Sequence, residues 1–208
     1  MSAKTNILKR FIIYMAILTF VMFTVWAFVR SFMNRPLGDY ETEVCDIRLK
    51  DKQYDKAIKA ANEALEKMPS HRGAVMCKAL VYISLAKYPE ANKELTYLIN
   101  FLEENLESDD RTGIGTLAAA YANRGIIKDR NKKYEEALKD YIKALGIDHE
   151  AVAGPGLGTI ILNYKYKSSS VKERALYLNE QLQLPEDERI LSIKELDEGQ
   201  VMHKPGKL

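Results

Sequence analysis

The chain has 208 residues, 47% apolar and 29% charged, with 31 basic against 29 acidic side chains and a net charge of +2. That apolar content excludes a disordered chain, and a charge so close to balanced excludes the broad basic footprint of a nucleic-acid binder. With residues 1–35 set aside, 26 basic face 29 acidic residues, enough chain for one domain of ordinary size.

Residues 1–10 form a basic flank containing Lys4, Lys9 and Arg10. From Phe11 to Val29, 19 consecutive residues carry no charge, which at about 1.5 Å rise each spans roughly the 30 Å hydrocarbon core. Tyr14 and Trp26 lie towards opposite ends of the run, as interfacial aromatics do. Residues 11–33 are therefore read as a single transmembrane anchor whose other partner is membrane lipid. Val29-Arg30-Ser31-Phe32 offers no small-residue cleavage site, which favours an uncleaved anchor over a signal peptide. Basic residues before the span, and Asp39, Glu41 and Glu43 soon after it, favour a cytoplasmic N-terminus and an exported domain. A linker, residues 34–38, holds Pro36 and Gly38.

The next 113 residues, 39–151, repeat themselves at 34-residue spacing in three frames, about 38–71, 72–105 and 118–151. Position 17 is Tyr each time (Tyr54, Tyr88, Tyr134) and position 20 is Ala each time (Ala57, Ala91, Ala137). Position 8 is small: Cys45, Ala79, Gly125. Such a pattern suits two antiparallel helices whose closest approach admits only a small side chain, with an aromatic filling the gap beside it. The stripe Leu95, Leu98, Ile99, Leu102 and Leu106 has helical period. Polar Glu41 and Arg48 in the first frame suit an end unit. Twelve extra residues, Leu106–Leu117, predict a lengthened preceding helix followed by a surface loop. Cys45 and Cys77 are read as small buried free side chains.

This register resembles the tetratricopeptide repeat (TPR). The expected fold class is all-α: one N-terminal transmembrane helix, then a TPR solenoid of about three repeats with a C-terminal capping helix. Capping helices are placed at 152–184, one from about Pro155 through Tyr164 and one from Val171 to about Gln183. A tail occupies 185–208, with a short helix starting at Pro185. In this family the first helix of each repeat lines a concave groove. The resemblance implies a protein-binding groove here at Met76, Leu80, Ile83, Ala122, Ile126 and Arg130, apolar in its middle. That groove holds either a partner or this chain's own tail. Chaperone-binding relatives clamp a C-terminal carboxylate with Lys, Asn and Arg. At the matching positions stand Thr42, Asp46, Cys77, Ala119 and Asn123, of which only Asn123 can donate as required, so a carboxylate clamp is rejected.

Chemistry is sparse. His71, His149 and His203 lie far apart without ligand spacing, and Gly154, Gly156 and Gly158 follow no strand that could make them a phosphate loop. No GxSxG motif is present, and no metal, cofactor, nucleic acid or small-molecule substrate is expected. The layout resembles that of bacterial inner-membrane TPR proteins, such as the ancillary subunit of the secretion translocon and TPR proteins of cytochrome c maturation. The expected function is a non-enzymatic membrane-anchored adaptor or assembly factor that binds a client or complex subunit through its groove. The alternative is a permanent structural subunit docked through its transmembrane helix and tail.

Overall fold

A computed structural model describes residues 2–33, 35–150, 152, 171–193, 197, 200 and 202–204. Helix α1, Ser2–Met33, contains an apolar stretch, Ile7–Arg30, of mean hydropathy 2.3, long and apolar enough to cross a membrane. Its side chains from 7 to 30 are all exposed. Gly38 then opens the helical region with a φ of 90°. An added Cβ there would lie 3.0 Å from the Ala64 carbonyl oxygen, so the position requires glycine on both counts.

Six helices follow as three pairs: α2 (Asp39–Lys50) with α3 (Tyr54–Lys67), α4 (Arg72–Ser84) with α5 (Tyr88–Asn105), and α6 (Arg111–Arg130) with α7 (Tyr134–Ile147). Each repeated Tyr is the first residue of a second helix, and Ala57, Ala91 and Ala137 are fully buried. The turns inside the pairs share one geometry. Lys52, Ala86 and Lys132 have φ of 57°, 55° and 60°, and each turn closes with the two backward bonds of a Schellman motif. Lys52 N–H donates to the Leu49 carbonyl at 3.0 Å and Gln53 N–H to that of Arg48 at 2.8 Å; the other two turns repeat this. Satisfying the last helical carbonyls in this way offsets a left-handed conformation that Lys and Ala adopt at a cost of about 1–2 kcal/mol.

First helices neighbour one another, α2 beside α4 and α4 beside α6, and form the inner face. Helix α8, Val171–Leu182, packs on α7 and buries Val171, Arg174, Ala175 and Leu178 against the end of the stack. It is the capping helix expected from the sequence. A 3-10 turn, Glu186–Glu188, follows where a short helix was expected after Pro185. The helix expected from Pro155 to Tyr164 lies outside the described residues.

Two expectations are corrected. Residues Leu106–Leu117 are expected to lengthen the preceding helix and then form a surface loop, but α5 ends at Asn105, only 106–110 separate it from α6, and the remainder extends α6 at its start. Asp110 makes that start possible: its carboxylate accepts the Gly113 N–H at 2.8 Å and pairs with Arg72 at the start of α4. The Arg72 hydrogen bond, with the Gly113 bond second, holds the Asp110 pKa below its usual value. Second, Cys45 and Cys77 are not free. They form a disulfide between α2 and α4, because the turn of the stack brings residues 32 apart in sequence to a Cα separation of 6.4 Å, within bridging reach.

Candidate protein-binding groove

The inner face is already occupied. Residues of the C-terminal tail lie across α6, α4 and α2, each held by a different kind of contact. Gln200 donates from Nε2 to Asp129 Oδ2 at 2.8 Å and to the Tyr141 hydroxyl at 3.2 Å. Met202 packs against the main core cluster, with its sulfur 4.0 Å from Ser84 Oγ. His203 pairs its main chain with Asn123: the Asn123 amide donates to the His203 carbonyl at 2.6 Å, and the His203 N–H donates to Asn123 Oδ1 at 2.8 Å. Lys204 forms an ion pair with Asp46 on α2.

Of the residues expected to line the groove, Met76, Leu80, Ile83, Ala122 and Ile126 come together in that core cluster and are buried, none more than 3% exposed. They belong to the core cluster against which Met202 packs, and of the two occupants left open for this face the structure has the chain's own tail. Arg130 does not join them. It is exposed and lines a cavity of about 290 Å³ beside the Gln200 end of the tail, with Tyr88, Asp129, Tyr134, Ser192 and Gln200. It is the last residue of its helix.

Electrostatics differ along the strap. At the Gln200 end, Asp129 is the hub of a buried network. Its Oδ2 accepts from Arg174 Nε at 2.7 Å and from the Tyr141 hydroxyl at 3.1 Å, and its Oδ1 accepts from Arg174 Nη2 at 2.7 Å. Burial, and next the Asp129 carboxylate, push the Tyr141 hydroxyl well above its ordinary pKa, which keeps it a donor. In the middle, His203 is 7% exposed, and desolvation lowers its pKa from 6.5 to about 4. At the far end Asp46 Oδ1 is buried without a hydrogen-bond partner among the described residues, while Oδ2 meets Lys204.

Asn123 and Asp46 were visible in the sequence as clamp positions, but their observed partners, a backbone and a cation, are not those of a carboxylate clamp. Tyr141 and Gln200 were missed as strap contacts. No local signal marks them, since the Asn123 and Gln200 contacts join residues 59 to 80 positions apart.

Comparison with known proteins supports the same architecture. No protein-family model matches the chain. It is 27% identical over 119 residues, 57% of its length, to Hsp70-Hsp90 organizing protein of Triticum aestivum, and 26% identical over 121 residues, 58% of its length, to Hsp70-Hsp90 organizing protein 2 of Arabidopsis thaliana. The matched part spans only 18% and 19% of those relatives. Among solved structures, the first TPR of Spaghetti (RPAP3) bound to HSP90 peptide SRMEEVD has a TM-score of 0.50 at 18% identity, covering 71% of this chain and 94% of that one. The 34-residue register, the three helix pairs with their recurring turns, and these likenesses give this chain the fold of a tetratricopeptide-repeat domain.

Proposed function

We propose that the chain is a non-enzymatic, membrane-anchored TPR adaptor or assembly factor that holds a protein client or complex subunit beside a membrane through its inner face. The observation that carries this reading is the strap itself: Asn123 and Asp46 grip an extended segment by its backbone and one side chain, which is how a peptide would be held. The Spaghetti domain, of like fold, is bound to a peptide. An acidic peptide such as SRMEEVD would set carboxylates against Asp46 here, so a client of different charge is proposed.

Anchoring rests on Ile7–Arg30, and confinement to a surface raises the effective concentration of a weak groove at membrane partners. The Cys45–Cys77 disulfide supports an oxidising compartment, in agreement with the charge asymmetry around α1. The proposed setting is therefore an exported domain, as on the periplasmic side of a bacterial inner membrane. A permanent subunit docked through its tail is less well supported, because Gln200 and residues 202–204 are engaged by the chain's own inner face.

Quantitative mass spectrometry of proteins co-purified with the full chain in mild detergent tests the reading, beside Asn123→Ala and beside a chain ending at Val201. Partners lost with Asn123→Ala and retained or enriched on truncation are expected. Partners kept at fixed ratio in all three would overturn the groove as the client surface.

A further inference from the structure

Resting on the reading of the inner face as a peptide-binding surface, we propose that its ligand is an extended protein segment with an arginine or lysine directly after the residue gripped by Asn123. Residues 202–204 of this chain are its internal stand-in.

The Asn123 contact reads conformation, not sequence. It takes the N–H and the carbonyl of one and the same residue, and those two groups point to one side only when the backbone is extended, as in the paired residues of an antiparallel ladder. Asn123 is fully buried beneath the tail, and Met76 Sδ lies 3.7 Å from its amide nitrogen, a contact that helps to orient the gripping amide. Any residue but proline satisfies it, because proline lacks the N–H.

Selectivity enters one residue later. Asp46 presents two oxygens. Lys204 engages Oδ2 only, and Oδ1 is buried without a partner among the described residues. An ammonium is a point donor, whereas a guanidinium presents two parallel N–H groups that match both oxygens of a carboxylate. The site therefore has capacity that the chain's own lysine leaves unused, and a partner segment with arginine at that place completes it. Gln200 can remain seated on Asp129 and Tyr141 while a competitor displaces, among the described residues, Met202, His203 and Lys204.

The test uses the full chain in detergent and the chain ending at Val201, with N-terminally labelled peptides MHKPGKL, MHRPGKL and MHEPGKL read by fluorescence anisotropy. The truncated chain is expected to bind the lysine peptide, the arginine peptide several-fold more tightly, and the glutamate peptide about tenfold or more weakly, the scale of one lost charge-assisted bond. Asp46→Asn should erase the discrimination, and the full chain should bind all peptides less well than the truncated one. A folded truncated chain that binds none of them, or all three equally, overturns the proposal. Should truncation prevent folding, hydrogen exchange at residues 202–204 decides in the full chain: Lys204→Glu is expected to deprotect them and Lys204→Arg to protect them further, and no change in either overturns it. Partner capture that depends on Asn123 but is untouched by Asp46→Asn would remove the cation preference while leaving the adaptor reading in place.

Discussion

Asn123 on α6 holds both main-chain polar groups of His203, giving one hydrogen bond of 2.6 Å and accepting another of 2.8 Å across 80 residues of sequence. The pair is what fixes the strap to the inner face. Replacing it by Asn123→Ala leaves two buried main-chain groups without partners, which costs about 1–3 kcal/mol each if the strap stays down. The strap can instead lift, so the loss is bounded by its docking energy. Hydrogen exchange should show the His203 amide unprotected in Asn123→Ala, with α4 and α5 amides unchanged. A still-protected amide would mean that Met202 and Gln200 hold the strap alone.

Acidification should release the same segment. Docked, the His203 imidazole is desolvated and its pKa stands at about 4; released into water it returns to 6.5. The docked strap thus favours the neutral ring. Docking strength is full above pH 6.5 and falls as pH drops from 6.5 towards 4. At pH 5 the loss is about 2 kcal/mol. Exchange at residues 202–204 compared at pH 7.5 and 5, after correction for intrinsic rates, should show it. His203→Phe should flatten the step, which assigns it to this imidazole.

Position 8 of the third repeat has no room for a methyl group. A Cβ on Gly125 would lie 2.6 Å from Tyr141 Cε1 and 2.7 Å from Cδ1. Tyr141 cannot swing aside freely, since its hydroxyl is tied to Asp129 and receives Gln200. Gly125→Ala should therefore overpack the α6/α7 crossing and cost about 1–3 kcal/mol. A melting temperature equal to that of the parent would sink this account of the repeat's small position.

Much of the architecture could be read from periodicity. Tyr54, Tyr88, Tyr134 and the alanines three residues after each fixed the start of every second helix, because their burial is a nearest-neighbour property that local spacing encodes. The αL turns were not legible, since Lys52, Ala86 and Lys132 carry none of the glycine signal that marks such turns. Arg174 is 1% exposed because a carboxylate 45 residues earlier receives it, a pairing that no local pattern reports. The sequence left the groove's occupant undecided between a partner and the tail. What fills it comes from the chain's far end, and a tail's docking depends on three-dimensional proximity that no local pattern reports. The disulfide escaped for the same reason: Cys45 and Cys77 sit at different repeat positions, and only the stack's twist aligns them.

Reduction should loosen the first repeat. The Cys45–Cys77 bond closes a loop across a sequence separation of 32, for which chain-entropy reasoning gives about 3–4 kcal/mol. Reductant, or Cys77→Ala, should lower the melting temperature, and Asp46, next to Cys45, should lose its fixed position opposite Lys204. Thiol labelling of the unfolded, unreduced chain should find no reactive cysteine. Two labelled thiols, with a melt indifferent to reductant, would show that the bridge does not form.

The buried hub at Asp129 offers the sharpest energetic test, because it joins the third repeat, the cap and the strap. Arg174 on α8 gives Asp129 two bonds of 2.7 Å, and its Nη2 also reaches the Leu191 carbonyl and Asp197, each at 3.0 Å. Both partners are nearly inaccessible, with side chains 1% and 3% exposed. Arg174→Met removes the cation and strands the carboxylate, which costs about 3–5 kcal/mol. Asp129→Asn strands the guanidinium, whose remaining contacts soften the loss. The double variant has no uncompensated charge at the centre, so it should recover about 1–3 kcal/mol relative to the sum of the single losses. Urea midpoints of the four chains measure that coupling. Strictly additive losses would mean that each side chain is held by its other neighbours and that the pair does not dock the cap.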